Sequence, residues 1–301
     1  MEERELLGEI QAIFARTRKP NLLVPNGDDG AVFRSEGNVI ACADVAVEGV
    51  HFNLEWSSLF EVGRKITAAN LADVCAMGGW PTFLLVTVVL PKRLLSGALD
   101  LAKGIAHEAD LVGAQVIGGD LSEGNELSIS ITALGETQRS ILRSGAKAGD
   151  LVMVSELPGF SAAGLSLLRS SADFNSELAS RAVAQHKAPS INYEKYRAAF
   201  NHLNSAIDIS DGLVTDAGHI AESSGVNLDL SREALASSEL KELDKENFIE
   251  WVLGGGEDHV LLVTAADNVP GFQVIGRVQA GSGVSLDGKE ISGRGYSHRW
   301  N

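Results

Sequence analysis

Carboxylates are the side chains of this sequence whose type and spacing could do chemistry, and several lie beside glycine at the ends of apolar runs. Asp28 and Asp29 stand in N-G-D-D-G-A-V-F, and Asp44 ends the run V-I-A-C-A-D. Asp73 lies in N-L-A-D-V-C-A-M-G-G, and Asp120 closes I-G-G-D. Carboxylates grouped without Lys or Arg repel one another unless a cation joins them. These motifs therefore raise the question of a metal site.

Two further acidic motifs occur in the second half of the chain. Asp208 and Asp211 share I-D-I-S-D-G-L, and Glu257 and Asp258 share G-G-G-E-D-H. Any single motif has an ordinary structural alternative, since Asp beside Gly is a common turn residue and Asp before a helix is a common N-cap. Together the motifs favour a site for several Mg²⁺ ions and phosphate groups, because proteins usually hold Mg²⁺ through carboxylates and substrate phosphates. Their spacing leaves open whether they meet in space.

Strands and helices must position these carboxylates. Apolar runs of high β-propensity predict strands at Val39–Ala43, Phe83–Leu90, Leu127–Leu134, Leu151–Val154, His259–Thr264 and Val274–Val278. Apolar spacings of three and four predict helices at Glu2–Thr17, Phe60–Met77, Leu94–Val112, Ala162–Ser170, Leu178–His186 and Val214–Ser223. Asp44 then ends a strand, Asp73 lies late in a helix, and Asp120 precedes a strand. The mixture predicts an α/β or α+β fold.

The length and a change of composition predict two domains. A chain of 301 residues has a prior of about two domains. The segment Arg143–Asp150, R-S-G-A-K-A-G-D, is rich in Gly and charge and joins two strand-like runs. We therefore predict an N-terminal domain of residues 1–142 and a C-terminal α/β domain of residues 143–301. Residues 233–250 are charged and loosely periodic, which predicts a surface insertion.

The composition argues against several functional classes. Lys and Arg total 25 and Asp and Glu total 40, and the resulting net charge of −15 argues against binding to nucleic acids or anionic membranes. Cys42 and Cys75 cannot form a disulfide framework, and we expect both to be buried as small apolar residues. No apolar run approaches the roughly 20 residues of a membrane span, and the acidic N-terminus is unlike a secretory signal, so we expect a cytoplasmic protein. The usual P-loop, dinucleotide and protein-kinase motifs are absent.

The order of the motifs resembles the thiamine-monophosphate kinase family of the aminoimidazole-ribonucleotide-synthetase-like superfamily. The resemblance is carried by G-D-D-G-A-V, D-V-A-V-E-G-V-H-F, A-N-L-A-D-V-C-A-M-G, I-G-G-D, R-S-G-A-K-A-G-D, D-I-S-D-G-L and G-G-E-D, from about residue 27 to 264. It implies a two-domain fold whose N-terminal domain pairs in a homodimer and whose C-terminal domain closes the active site. It also implies ATP-dependent phosphorylation of thiamine monophosphate to thiamine diphosphate, by in-line transfer assisted by several Mg²⁺ ions.

The resemblance also implies a role for individual residues. The implied metal ligands are Asp29, Asp44, Asp73, Asp120, Asp208 and Asp211, with Asp28 adjacent to them. The implied ATP contacts are Gly119, Asp120, Arg143 and Ser210. Of the implied metal ligands and ATP contacts, Asp44, Asp120 and Arg143 are the implied catalytic residues. The implied substrate contacts are His51 and Glu257, and Tyr296 and Trp300 in the C-terminal tail are candidates for stacking on the thiamine rings.

The sequence also departs from the family pattern, which keeps alternatives open. Cys42 and Ala43 stand where the family commonly has hydroxyl residues that help to hold metal, and His259 stands where it commonly has Tyr. One alternative is another ATP-using superfamily member, although a selenophosphate synthetase needs a reactive N-terminal cysteine and the first cysteine here is Cys42. The other is a relative that binds nucleotide and metal but no longer transfers phosphate.

Overall fold

The computed structural model describes residues 3–15, 19–25, 29–170, 176–293 and 295. The chain divides into two compact units, the first of residues 1–75 and 79–139 and the second of residues 76–78 and 140–301. Both units contain helices and sheets, which confirms the predicted mixed class. In the part of the chain that the structure describes, no helix is both long enough and apolar enough to cross a membrane.

The first unit is built on a four-stranded sheet. Its helices are α1 (Glu3–Phe14), α2 (Leu59–Ala76) and α3 (Ala98–Val112), and its strands are β1 (Leu22–Val24), β2 (Val32–Phe33), β3 (Asn38–Val47), β4 (Trp80–Leu90), β5 (Gln115–Glu123) and β6 (Ser128–Thr137). The order in the sheet is β3-β6-β4-β5, with β4 and β5 parallel and the other neighbours antiparallel. Strands β1 and β2 form a separate antiparallel pair.

The two faces of this sheet differ in burial. One face carries Ile129, Ile131 and Val86, all buried, as expected where helices cover a sheet with alternating apolar residues. The other face leaves large apolar side chains exposed, since Val45 on β3 and Leu85 on β4 keep 52% and 38% of their accessible surface. The first unit therefore has one open sheet face with apolar side chains on it.

The second unit is built on a seven-stranded sheet. Its helices are α4 (Phe160–Ser170), α5 (Glu177–Lys187), α6 (Tyr193–Ala199), α7 (Leu213–Ser224), α8 (Arg232–Leu235) and α9 (Phe248–Gly254), and its strands are β7 (Leu151–Val154), β8 (Ser205–Asp208), β9 (Asn227–Leu230), β10 (Leu261–Ala265), β11 (Gln273–Gln279), β12 (Gly283–Leu286) and β13 (Lys289–Ile291). The sheet order is β13-β12-β9-β11-β7-β10-β8. Helix α7 packs on the core through Leu213, Ala217 and Ile220, which follow the helical spacing of an apolar face.

Three sequence predictions about the elements are corrected or extended by the structure. Asp120 does precede the predicted strand, observed as β6, but it also lies inside β5, because pairing with β4 makes a strand of a glycine-containing run of low β-propensity. Asp44 lies within β3 and does not end it, because pairing with β6 continues to Val47. Residues 233–250 are not a surface insertion, since Leu235 and Leu240 are fully buried in the core of the second unit.

Candidate functional site

In the first unit, Gly119 and Asp120 border an apolar cavity. The cavity has a volume of about 250 Å³ and lies between α1, α3 and the sheet, lined among others by Phe14, Leu101 and Ile105. Gly119 has φ +151°, and a Cβ there would lie 1.7 Å from the Val86 carbonyl oxygen, so the strand needs glycine at this position. The G-G-D motif thus lets the backbone of β5 run unusually close to β4 beside an apolar cavity.

Asn70 joins the backbone of Asp44 to α2, the helix that carries Asp73. The Asn70 side chain is fully buried on α2, and its Oδ1 accepts the backbone N–H of Asp44 over 3.2 Å. Its Nδ2 donates to the Ile66 carbonyl oxygen over 2.9 Å, which fixes the amide orientation. Asp73 lies on the same helix face as Asn70, three residues further along. Asn70 was not predicted as a site residue, although its place in N-L-A-D could have indicated it.

Asp120 lies on a different face of the sheet from Asp44. In the strand register, Asp44 is opposite Ile131, on the helix-covered face. Asp120 is opposite Thr87, which is exposed, and its Oδ2 accepts a hydrogen bond from the Ser122 hydroxyl over 2.9 Å. The sheet of the first unit therefore does not bring these two predicted metal ligands together.

His51 lies in a tight turn that follows β3. Its Nδ1 accepts the backbone N–H of Val47 over 3.1 Å, and its own backbone N–H donates to the Val47 carbonyl oxygen over 3.0 Å. The neutral ring therefore carries its proton on Nε2, where it can donate to a ligand. The preceding Glu48 pairs with Arg93 over 2.5 Å. Asp29 lies in an exposed bend before β2, and Asp28 is outside the described residues.

In the second unit, Asp208 ends β8, and Ser210 and Asp211 follow in the turn that leads into α7. Asp216, a residue not predicted, organises this turn. One oxygen of its buried carboxylate, Oδ2, accepts the backbone N–H groups of Ser210, Asp211 and Gly212 over 3.0 to 3.1 Å. The signal in the sequence is an Asp four residues after the Gly of S-D-G.

The carboxylates around this turn affect one another electrostatically. Burial raises the pKa of Asp216 to about 7, and repulsion by Asp208 and then Asp211 adds to this effect. The hydrogen bonds from the backbone of Asp211 and Gly212 oppose it. Asp208 and Asp211 are therefore near enough to Asp216 for their charges to raise its pKa.

The G-G-G-E-D-H segment packs against the same turn, backbone to backbone. Glu257 donates its N–H to the Ser210 carbonyl oxygen over 2.8 Å, and its φ is +62°. A Cβ at Gly256 would lie 2.2 Å from that same carbonyl oxygen, so the close approach requires glycine. The Glu257 carboxylate lies 3.6 Å from His186 Nδ1, and His186 also contacts the Ser161 hydroxyl over 3.0 Å.

His259 departs from the usual family residue, and its ring contacts a predicted metal ligand. His259 Nδ1 lies 3.0 Å from Asp208 Oδ2, and both side chains are buried. The backbone of His259 is held at φ +53°, and its carbonyl oxygen accepts a hydrogen bond from the Tyr196 hydroxyl over 3.2 Å. One carboxylate oxygen of Asp208, Oδ2, is thus in contact with the His259 imidazole.

Arg143 begins a short 3₁₀ turn, and its side chain is exposed. Its carbonyl oxygen accepts the Ser224 hydroxyl over 2.7 Å, which anchors the turn to the end of α7. The second unit brings together Asp208, Ser210, Asp211 and Glu257, while Arg143 lies on another segment of that unit. Among the described residues, no three His, Cys, Asp or Glu side chains are placed so that they could hold one metal ion. Tyr296 and Trp300 lie outside the described residues.

Comparison with known proteins decides the family. Residues 27–137 match the AIR synthase related protein N-terminal domain, and residues 147–289 match the C-terminal domain of the same family. A thiamine-monophosphate kinase of Mycobacterium tuberculosis is 38% identical over 95% of this chain and 90% of its own length. This chain belongs to the thiamine-monophosphate kinase family. The Aquifex aeolicus member is 36% identical over 90% of this chain and 92% of its own length.

Solved structures agree with this family. The crystal structure of the thiamine-monophosphate kinase from Stenotrophomonas maltophilia is 28% identical, with a TM-score of 0.86 and coverage of 97% of this chain and 98% of that one. AaThiL complexed with AMPPCP and TMP is 34% identical, with a TM-score of 0.83 and coverage of 99% of each chain. The hydrogenase maturation protein HypE of Escherichia coli, at 18% identity and a TM-score of 0.74, shares the fold.

Proposed function

We propose that this protein transfers the γ-phosphoryl group of ATP to thiamine monophosphate and so forms thiamine diphosphate and ADP. The hydrogen bond of 2.8 Å between Glu257 N–H and the Ser210 carbonyl oxygen carries this proposal. This bond joins the S-D-G motif, which we assign to the nucleotide, to the G-G-E-D motif, which we assign to the thiamine substrate. Phosphoryl transfer requires that the two phosphorylated molecules be held next to each other. A related structure, at 34% identity, holds AMPPCP, an ATP analogue, together with TMP.

The chemistry needs no protein nucleophile and no general base. The attacking atom is an oxygen of the substrate phosphate, whose second pKa is about 6, so this oxygen is largely ionised near neutral pH. It forms a bond to the γ-phosphorus while the bond from that phosphorus to the ADP oxygen breaks, and ADP leaves with the electron pair. The main barrier is the approach of two polyanions, and the protein must position them and neutralise their charge.

We assign the charge neutralisation to Mg²⁺. The ligands that we propose are Asp29, Asp44, Asp73 and Asp120 in the first unit and Asp208 and Asp211 in the second. The donor set fits this metal, because carboxylate oxygens are hard ligands, and Mg²⁺ is usually held by one or two carboxylates, here Asp208 at the end of β8 and Asp211 after it, together with substrate phosphates. Mg²⁺ held by these carboxylates would supply Lewis-acid stabilisation of the phosphoryl oxygens.

For ATP, we assign contacts to Gly119, Asp120, Arg143 and Ser210. The apolar cavity beside Gly119, of about 250 Å³, suits the flat adenine ring better than a phosphate, because its lining is mostly aliphatic. The exposed Arg143 guanidinium suits the phosphates, since its planar fork can donate two hydrogen bonds to one phosphate. Together with Asp44 and Asp120, Arg143 forms the catalytic set of this proposal.

For thiamine monophosphate, we assign contacts to His51 and Glu257, with Tyr296 as the stacking residue. The Nε2 proton of His51 can donate to a polar group of the substrate, because Nδ1 already accepts the Val47 N–H. The Glu257 carboxylate can accept from an amino group or balance the positive thiazolium ring.

We further propose a cytoplasmic homodimer formed through the first unit. The apolar side chains on the open sheet face, among them Val45 and Leu85, support this assembly, because an exposed apolar face of a sheet is stabilised when another copy covers it. We also propose that residues 1–142 form the domain for ATP and Mg²⁺ binding and for dimerisation, and that residues 143–301 form a second α/β domain that closes the active site.

The test is a coupled assay of the purified protein with ATP, Mg²⁺ and a panel of phosphorylated acceptors. Thiamine monophosphate is expected to stimulate ADP formation, and labelled γ-phosphate is expected in thiamine diphosphate, with no labelled enzyme. Stimulation by a different acceptor would identify another ATP-using superfamily member. Binding of nucleotide with no ADP from any acceptor would favour a relative without catalysis, for which Cys42 and Ala43 are the relevant departures.

A further inference from the structure

Asp216 makes an arrangement of hydrogen bonds that differs from an ordinary helix cap. An N-cap side chain precedes the helix and accepts an N–H from its first turn. Asp216 instead lies inside α7, and its Oδ2 reaches back to three consecutive N–H groups that precede the helix, those of Ser210, Asp211 and Gly212. Only 1% of Asp216 is exposed. Three donors on one buried oxygen fix the backbone of a whole turn rather than one end of a helix.

The opposite side of the same turn is held by a second segment. A Cβ at Gly212 would lie 2.7 Å from the Gly254 carbonyl oxygen, and Gly212 has φ +118°. The Ser210 carbonyl oxygen accepts the Glu257 N–H over 2.8 Å. The turn is thus clamped between Asp216 on one side and the glycine-rich segment on the other, while Ser210 and Asp211 themselves stay half-exposed.

We propose that Asp216 is a positioning residue, which holds the Ser210–Gly212 turn so that Asp211 can ligate the metal and Ser210 can contact the nucleotide. This inference rests on the proposed function. Asp216 performs this role by placing Oδ2 where it accepts hydrogen bonds, since each of the three contacts of Oδ2 is with a backbone N–H group. The residue acts through Asp211 and Ser210 and does not itself touch the substrates.

This role predicts that two conservative variants behave differently. Asp216→Asn keeps a carbonyl oxygen at the position of Oδ2 and removes the charge. Asp216→Glu keeps the charge but adds a methylene group, which moves the oxygen out of reach of the three N–H groups. If Asp216 acts through the position of its oxygen, Asp216→Asn should preserve metal binding and Asp216→Glu should impair it. If Asp216 acts only through its negative charge, the reverse is expected.

The experiment titrates the metal-free full-length protein with Mn²⁺ and follows free Mn²⁺ by electron paramagnetic resonance. We expect Asp216→Glu to weaken Mn²⁺ binding about tenfold and Asp216→Asn to stay within about threefold of wild type, because residues that orient a ligand typically affect affinity by 10- to 100-fold. In the coupled assay, Asp216→Glu should raise the Mg²⁺ concentration for half-maximal rate by about the same factor. The KM for thiamine monophosphate should change less than about twofold.

Asp229→Ala is the matched control. Asp229 lies in the same unit and also accepts three hydrogen bonds, from Gly288 N–H, the Ser285 hydroxyl and the Gln279 amide. Its loss should lower the melting temperature and leave Mn²⁺ binding unchanged. Wild-type Mn²⁺ affinity in Asp216→Glu, an equal loss in Asp229→Ala, or no Mn²⁺ binding by the wild type would overturn the inference. Mn²⁺ binding that follows this pattern without phosphoryl transfer would support it and refute the proposed function alone.

Discussion

Asp258 accepts the backbone N–H of Gly159 over 2.6 Å, and its other oxygen accepts the N–H of Ser161 over 2.9 Å. These bonds join the G-G-G-E-D-H segment to the start of α4, and they place a carboxylate in the core, where 1% of the residue is exposed. Burial raises the pKa of Asp258 to about 6, and the two N–H bonds oppose this effect. The segment that carries Glu257 is therefore anchored to α4 by a buried carboxyl group whose pKa lies above its ordinary value.

The first prediction concerns pH and stability. The pKa of Asp258 is higher in the folded state than its ordinary value of 3.8, so between about pH 4 and 6 the folded protein binds more protons than the unfolded chain. The unfolding free energy therefore falls as the pH rises through this range. Between about pH 5 and 7.5 we expect a loss of about 1 kcal/mol from this group. Urea unfolding of wild type and Asp258→Asn at both pH values measures it.

The control for this prediction is Asp244→Asn. Asp244 is exposed, and hydrogen bonds, first from the Asn247 side chain, hold its pKa below the ordinary value, so its contribution has the opposite sign and is lost as the pH falls. The difference in unfolding free energy between wild type and Asp258→Asn should be larger at the lower pH. A difference that is the same at both pH values would contradict the assignment.

The second prediction concerns the metal ligands. Asp44→Asn and Asp120→Asn should each reduce turnover at saturating Mg²⁺ by at least about a hundredfold, because each removes a proposed charged oxygen ligand and leaves the side-chain volume nearly unchanged. The unfolding free energy of the metal-free protein should change by less than about 0.5 kcal/mol, because Asn matches Asp in volume, Asp120 is exposed and Asp44 is only half-buried. Wild-type turnover in both variants would exclude the proposed metal site.

The third prediction concerns the glycine of the G-G-D motif. Gly119→Ala should lower the unfolding free energy by about 3 kcal/mol, because its Cβ would lie 1.7 Å from the Val86 carbonyl oxygen at φ +151°. Gly8→Ala in α1 of the same unit has nothing within 4 Å of the added Cβ and should raise stability by up to about 1 kcal/mol. Denaturant unfolding compares the two, and equal effects would be inconsistent with the close approach of β5 to β4.

The sequence was sufficient for the strongly periodic elements and for the motifs that carry carboxylates. The strand Leu151–Val154 is observed with its predicted bounds, and α2 differs from its predicted bounds by one residue at each end. Strand β5 was not predicted, because its Gly118 and Gly119 lower β-propensity and only pairing with β4 makes it a strand. The local pattern of residue types cannot show which distant strand a segment will pair with.

The same limit applies to the site. Asp208 and Asp211 were predicted from a motif, whereas the role of Asp216 depends on three backbone N–H groups that point at one oxygen. The contact between Asp208 and His259 joins residues 51 positions apart. Such relationships are set by tertiary packing, so residue types and spacing alone could not indicate them.

The fourth prediction concerns assembly. Light scattering of the wild type should give about twice the chain mass of 31.8 kDa. Val45→Lys should shift the mass towards one chain, because it places a charge on the open sheet face, where Val45 is 52% exposed. Leu111→Lys is the control, since Leu111 is equally exposed but lies on α3, and it should leave the dimer intact. A monomeric wild type at micromolar concentration would contradict the proposed homodimer.

The last prediction separates the two substrates. Arg143→Lys keeps the charge but loses the planar fork, so it should raise the KM for ATP and slow transfer by about tenfold or more, while its turn stays anchored through the Ser224 hydroxyl. His51→Asn keeps an acceptor for the Val47 N–H and removes the ring, so it should raise the KM for thiamine monophosphate by about tenfold and leave that for ATP within about twofold. Steady-state kinetics with each substrate varied in turn tests both expectations. If His51→Asn instead raised the KM for ATP, the assignment of the V-E-G-V-H-F turn to the thiamine substrate would be wrong.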